Sequence, residues 1–240
     1  MCRAAACVVF RYSFICALVG LIALEFSCTD INLKAQLEDP GLTGTEKYTD
    51  RLMVFVSSAV TVGNMEALFA SGCSGTGIQR ADCYCQTKAR EYNRRMNAGS
   101  RFVAWLSETG IPPAPDNTML CRIIGLTGNG CAPTGAFIWY DTNFQPIVSG
   151  MINLFNATPS FSAAIRLTES GNPAPVVTDD VWTGTAQQGT AQPSNCSNWQ
   201  DNTGAISAGL GDSAAIDFGW TNRASGPCNI PRRIYCFAVP

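Results

Sequence analysis

Hydrophobic positions fall into short blocks separated by long polar, glycine-rich intervals. An early block, Phe14 to Leu24, is uncharged and continuous, with Arg3 and Arg11 ahead of it. It is about half of the roughly 20 residues a helix needs to span a bilayer, which predicts a signal-peptide core. Thr29 to Asp50 is polar, acidic and broken by Asp39-Pro40-Gly41, and reads as a tether. Arg51 to Ser58 is an apolar run of strand type that opens the folded domain. From Ala81 to Asn97 the residues Cys85, Ala89, Tyr92 and Met96 recur at i, i+4, i+7 and i+11. This spacing predicts a helix with those four inward, Asp82 favouring its N-terminus, and Arg90 and Arg94 outward, flanked by Lys88 and Arg95. Ser100 to Gly110 predicts a second helix, with Phe102, Val103, Trp105 and Leu106 inward and Gly110 as cap, stopped by the proline-rich run Ile111 to Asn117. Cys121 and Cys131 bracket a glycine-rich interval short enough to be closed by its own disulfide. Ala136 to Tyr140, Asp141 to Asn143 and Phe144 to Ser149 predict a hairpin, and 150–180 is expected to be loop with short strands. The last sixty residues place Trp182, Trp199, Trp220, Cys196, Cys228 and Cys236 in Gly/Ser/Asn-rich loops, ending on a strand from Arg233 to Val239. Such a segment buries little surface by itself, so crosslinks and aromatic anchors are expected to hold it.

At 240 residues with 46% hydrophobic positions, one core is the default. Charged residues make up 14% and the net charge is −2, which offers no broad attraction to nucleic acid or anionic membrane. Twelve cysteines without paired CxxC spacing point to disulfides in an oxidising compartment, hence an exported chain. The string Leu24-Glu25-Phe26-Ser27-Cys28 resembles the relaxed lipobox of spirochaetal lipoproteins, in which cleavage leaves Cys28 as a lipidated N-terminus. Glu25 stands where a stricter lipobox has an aliphatic residue, so plain secretion is the alternative. The expected organisation is a signal peptide at 1–27, a lipidated N-terminus and tether at 28–50, and one domain at 51–240. With Cys28 lipidated, Cys73, Cys83, Cys85, Cys121, Cys131, Cys196, Cys228 and Cys236 remain for pairing.

Met53-Val54-Phe55-Val56, Ala81-Asp82-Cys83-Tyr84-Cys85-Gln86, Ala104-Trp105-Leu106-Ser107, Val181-Trp182-Thr183-Gly184, Cys196-Ser197-Asn198-Trp199 and Arg233-Ile234-Tyr235-Cys236-Phe237 together resemble the leptospiral endostatin-like protein family. The resemblance covers about residues 51 to 240. It implies an α+β, C-type-lectin-like (endostatin-like) domain: two helices packed on twisted antiparallel strands, with long disulfide-stapled loops. It also implies a nested disulfide pair, Cys85 with Cys236 and Cys196 with Cys228. Cys73–Cys83 and Cys121–Cys131 would then be additions of this sequence. Cys85 is preferred to Cys83 because it precedes Gln86, as in the family's Ala-Asp-x-x-Cys-Gln pattern, and because the helical spacing turns it inward.

The chain contains no histidine, which removes Ser-His and Cys-His nucleophile pairs and every His-ligated metal centre. Endostatin's histidine zinc site therefore has no counterpart, and no cofactor is expected. Asp179-Asp180 is the obvious carboxylate pair, but neighbouring strand residues point to opposite faces, which favours a structural role. Calcium-dependent lectins rely on Glu-Pro-Asn or Gln-Pro-Asp and Trp-Asn-Asp strings. The nearest here, Gln192-Pro193-Ser194 and Trp220-Thr221-Asn222, lack the anchoring carboxylate. Arg90, Arg94, Arg95, Arg101, Arg232 and Arg233 are candidates for one ligand-binding basic patch, because a Cys85–Cys236 bond would draw their segments together. The resemblance implies a non-enzymatic surface lipoprotein of the outer membrane. Such a protein would be an adhesin for host extracellular-matrix and plasma proteins: laminin, fibronectin, and in some relatives complement factor H, fibrinogen or plasminogen. It would touch the membrane only through its lipid and bind no nucleic acid. The alternative is a carbohydrate- or glycosaminoglycan-binding module using exposed aromatics or the arginines on sulfated chains, and a third class is a secreted carboxylate hydrolase.

Overall fold

Two stretches are buried along their whole length, Leu52–Val56 (β1) and Arg233–Ala238 (β8), and continuous burial of that kind marks strands covered on both faces. In the computed structural model they pair antiparallel at the centre of one sheet, with Phe55 opposite Cys236. The structure describes residues 51–75, 77–92, 100–110, 116–175 and 179–240. The signal-peptide run, Cys28, the tether, Arg94, Arg95, Met96 and the prolines of 111–115 lie outside the described residues.

The free edge of β8 takes two partners. Phe102–Ala104 (β2) runs antiparallel to its C-terminal half, and Asp180–Trp182 (β5) runs parallel to its N-terminal half. Beyond β1, Ile138–Tyr140 (β3) pairs in parallel, and Pro146–Ser149 (β4) closes the expected hairpin with an irregularity at Trp139/Tyr140. Beyond β5, Ser207–Asp212 (β6) and Ala224–Pro227 (β7) continue antiparallel. The order is β4-β3-β1-β8-β5-β6-β7, with β2 also on β8. The chain is thus mixed α+β with a mostly sheet core, few helices and four disulfides. The sheet is mixed and not purely antiparallel, since β1·β3 and β5·β8 are parallel.

One long helix, α1 (Gly77–Glu91), begins four residues before the expected start, and short helical turns follow at Met119–Ile123 (α2) and Met151–Leu154 (α3). Cys85 and Ala89 face inward as the spacing predicts, but Tyr92 lies past the helix end and is exposed.

The second helix expected over Ser100–Gly110 is absent; β2 stands in its place. Residues 102–107 are all buried, so there is no polar face for a helix to present. A short apolar run fits both periods, and the open edge of β8 decides between them. Trp105 N donates to Tyr235 O at 2.9 Å, and Val239 N to Arg101 O at 2.8 Å. The outward N–H groups of β2 are met by α1: Phe102 N donates to Gln86 Oε1 (2.9 Å) and Ala104 N to Asp82 Oδ1 (2.8 Å). In the Ala-Asp-x-x-Cys-Gln string, Asp82 and Gln86 therefore hold β2 while Cys85 is bonded to Cys236 in β8. Asp82 also pairs with the buried guanidinium of Arg122, so its role is in the second turn and beyond rather than at the helix N-terminus.

All five tryptophans are fully buried. Trp105 lies 4.5 Å from Trp220 and 4.8 Å from Phe237 between ring centroids, within the range where aromatic pairs add to burial. Four indole N–H groups donate inside the core, to Thr221 Oγ1, Ala238 O, Thr61 O and Ser107 O. These rings anchor the loops of the last sixty residues.

Candidate binding surface and cleft

Of the four candidate arginines among the described residues, Arg232 and Arg233 are drawn into the fold and do not join a surface patch. Arg233 is buried, and its Nη1 donates to Ser57 O at 2.7 Å and to Ser58 O, its Nη2 to Pro175 O at 3.3 Å. Burial lowers its pKa, with Tyr84 and Glu169 opposing. Beside it Glu169, also buried, accepts from Ser58 N (2.9 Å) and from Ser58 Oγ. Arg232 has a side chain only 10% exposed; it pairs with Asp180 at 3.4 Å and lies 5.1 Å over the Trp182 ring. Burial lowers its pKa against the pull of Asp180. Both guanidiniums are committed to the fold because fixed carbonyls, a carboxylate and a ring offset the cost of burying them. Arg90 and Arg101 are exposed, while Lys88 is held by Glu91 at 2.6 Å. Of the candidate arginines among the described residues, Arg90 and Arg101 are therefore the two left exposed.

The carboxylates are similarly occupied. Asp179 pairs with Arg166 (3.3 Å), and Asp180 with Arg223 (3.2 Å) and Arg232, so the two side chains diverge to different partners. No cluster of His, Cys, Asp and Glu able to hold a metal ion occurs among the described residues. The two strings nearest to calcium-lectin motifs do meet in space: Gln192 Nε2 donates to Asn222 Oδ1 at 2.9 Å and to Thr185 O at 3.2 Å. A direct amide pair closes that junction. Exposed aromatic surface is carried by Tyr92, Phe137 and Phe218 among the described residues, and none of it by tryptophan.

A feature that the sequence pattern did not single out lies next to Gln192. Cys196, Ser197, Asn198 and Trp199 have φ of 51°, 53°, 55° and 59°, one turn of left-handed helix built without glycine. Such backbone costs roughly 1–2 kcal/mol per L-residue, asparagine tolerating it best. The surroundings over-determine it. Asn195 Oδ1 accepts from Asn198 N (2.9 Å), and Asn198 bonds the Thr109 backbone in both directions at 2.9 Å. Cys196 is tied to Cys228, and Trp199 Nε1 donates to Ser107 O at 3.0 Å. Three distant glycines make room: a β-carbon on Gly63 would lie 2.4 Å from Cys196 Sγ, on Gly77 2.7 Å from Asn198 O, and on Gly184 2.5 Å from Trp199 Cζ2. Beside the turn, Pro193, Ser194, Asn195, Ser197, Ile206 and Ser207 line a cleft of about 320 Å³. The run Asn195-Cys-Ser-Asn was the one available signal, being rich in residues that tolerate positive φ; the gripping glycines are too scattered to read.

The four disulfides are Cys73–Cys83, Cys85–Cys236, Cys121–Cys131 and Cys196–Cys228, the nested two that the resemblance implies and the two expected as additions of this sequence. No helix among the described residues is long and apolar enough to cross a membrane. No family model matches the chain, and no curated protein matches it.

Proposed function

We propose that the protein is a surface-displayed adhesin of the endostatin-like, C-type-lectin-like type, anchored through Cys28 at the outer membrane and binding host extracellular-matrix or plasma proteins such as laminin and fibronectin without enzymatic activity. The observation that carries the proposal is the covalent closure of the domain. Cys85 of α1 is joined to Cys236 of the central strand β8, β8 lies on β1, and Cys196–Cys228 is nested in the intervening loops. That is the plan the endostatin-like motifs call for, and it presents loops on a scaffold that needs no ligand to be ordered. The occupied carboxylates and the lack of histidine favour binding over catalysis.

The test is solid-phase binding of the oxidised protein, and of the same protein reduced, to immobilised laminin, fibronectin, fibrinogen, plasminogen and factor H. Saturable binding of the oxidised form, lost on reduction, is expected for at least one of them. An Arg90→Glu/Arg101→Glu variant should weaken that binding several-fold and flatten its salt dependence. No saturable binding to any of the five overturns the proposal; binding indifferent to salt and to charge reversal removes the basic face from it.

A further inference from the structure

We infer that Asn129 is a site of spontaneous covalent modification in the folded protein. Its side-chain amide is lost through a cyclic imide formed with Gly130, leaving an aspartyl or isoaspartyl residue in the loop that Cys121–Cys131 closes. The inference concerns the chemistry of this loop and does not rest on the adhesive reading.

Asn129-Gly130 is the single Asn-Gly pair in the chain. Asparagine is among the thermolabile residues. A following glycine exposes it most, because no β-carbon obstructs the backbone nitrogen that attacks. The Gly130 nitrogen, deprotonated by hydroxide, attacks Cγ of Asn129. The N–Cγ bond of the imide forms, the bond from Cγ to the side-chain nitrogen breaks, and that nitrogen leaves as ammonia. Water then adds to one of the two imide carbonyls, giving aspartate, or isoaspartate with the main chain routed through Cγ. One water is consumed and one ammonia released, and nothing is oxidised or reduced.

A fold suppresses this chemistry when it holds the reacting groups, and here it leaves them open. Asn129 and Gly130 are both exposed. Neither the Asn129 amide nor the Gly130 N–H makes a hydrogen bond among the described residues. The amides of Asn195 and Asn198, by contrast, are both held by Thr109. A β-carbon on Gly130 would meet nothing within 4 Å, so the ring has room to form. Asn129 lies between Gly128 at φ 108° and Gly130 at φ 74°. Glycines on both sides absorb the compensating rotations as the peptide plane turns toward the side chain. The fixed points lie outside the pair: Thr118 N and Oγ1 donate to Gly128 O at 3.0 and 3.2 Å, and Cys131 is bonded to Cys121. The product adds a negative charge to a loop that borders Arg101, whose Nη1 would lie 3.5 Å from a β-carbon on Gly125. The modification thereby lowers the positive potential around one of the two exposed candidate arginines.

The test is to age the oxidised protein at physiological temperature, at neutral and mildly alkaline pH, in water enriched in ¹⁸O. The same chain is aged in parallel after reduction and unfolding in urea. Peptide mapping by mass spectrometry follows each asparagine, and an isoaspartyl methyltransferase reports isoaspartate. Asn129 is expected to convert faster than every other asparagine of the native chain, faster still as pH rises, and with one ¹⁸O taken up per product. Its native rate should lie within about tenfold of its rate in the unfolded chain, so that the fold raises the barrier by less than about 1.4 kcal/mol. Anion exchange should resolve a later-eluting species with one added negative charge. Asn129→Gln changes an exposed side chain without hydrogen-bond partners and should abolish that species while leaving thermal unfolding unchanged. Gly130→Ala should slow the conversion, although a side chain at φ 74° strains the loop, so the glutamine variant serves as the control. The inference is overturned if Asn129 stays intact in the native protein while the unfolded chain converts, if the product carries no ¹⁸O, if another asparagine converts first, or if Asn129→Gln still yields the acidic species.

Discussion

Removal of the Cys85–Cys236 bond should cost more than removal of any other crosslink in this chain. The two cysteines are 151 residues apart in sequence, against 32 for Cys196–Cys228 and 10 for Cys73–Cys83. In the chain-entropy picture these closures stabilise by about 5, about 3.7 and about 2.7 kcal/mol respectively. The nested Cys121–Cys131 and Cys196–Cys228 links shorten the effective long loop, but the dependence on length is logarithmic, so the loss is only a few tenths of a kcal/mol. Cys85 and Cys236 are also fully buried between α1 and the sheet, so their truncation leaves a small void that adds to the loss. For a domain of this size, about 5 kcal/mol corresponds to a fall in Tm of roughly 10–20 °C, against about 5–11 °C for the Cys73–Cys83 pair. The assay is urea and thermal unfolding of Cys85→Ala/Cys236→Ala, Cys196→Ala/Cys228→Ala and Cys73→Ala/Cys83→Ala, followed by tryptophan fluorescence. All five indoles are buried and should report the same transition. A Cys73–Cys83 deletion as damaging as the Cys85–Cys236 deletion would refute the view that closing the domain end to end is the dominant covalent contribution.

Gly63→Ala should destabilise by about 2 kcal/mol or more, because its β-carbon would meet Cys196 Sγ at 2.4 Å and the Asp201 carbonyl at 2.7 Å, and chemical denaturation measures it. Ser197→Gly should be neutral or stabilising by up to about 1 kcal/mol, since it relieves φ of 53° at an exposed site; a clear loss of stability would mean that the turn is not strained there. Burial, reinforced by Glu169, pushes the Tyr84 phenol up to about 12 from 10.0, and burial raises Tyr235 well above 10.0. The unfolded chain then loses these protons first. The tyrosines' contribution should be constant below pH 10 and fall from pH 10 to 12 by about 1.4 kcal/mol per pH unit for each of them. Rapid alkaline unfolding of Tyr84→Phe should show that slope reduced by one tyrosine's share, and an unchanged slope would contradict the assignment.

Part of the fold is legible locally. β1 and β8 stand out because continuous burial leaves an apolar run, the β3–β4 hairpin because the polar turn Asp141 to Asn143 separates two strand-type runs, and the inner face of α1 at Cys85 and Ala89 because of its helical period. The cysteine partners were implied through the motifs around them, Cys85 before Gln86 above all. The segment at 100–110 is settled by its neighbours in the fold, since the short apolar run holding Phe102, Val103, Trp105 and Leu106 fits either a helical or an extended reading. The choice was made by the unfilled edge of β8 and by Asp82 and Gln86, which lie some twenty residues earlier. Only the tertiary structure decided the arginines, too. Arg232 and Arg233 look available in a polar loop next to a strand, yet Asp180, Trp182 and the carbonyls of Ser57 and Ser58 claim them from far along the chain. The left-handed turn and its cleft belong to the same class, because conformations that are locally unfavourable persist only where distant groups, here Gly63, Gly77, Gly184, Thr109 and Cys228, hold them. Local pattern carries the energetics of burial and period; whatever depends on which distant atoms meet is written only in the fold.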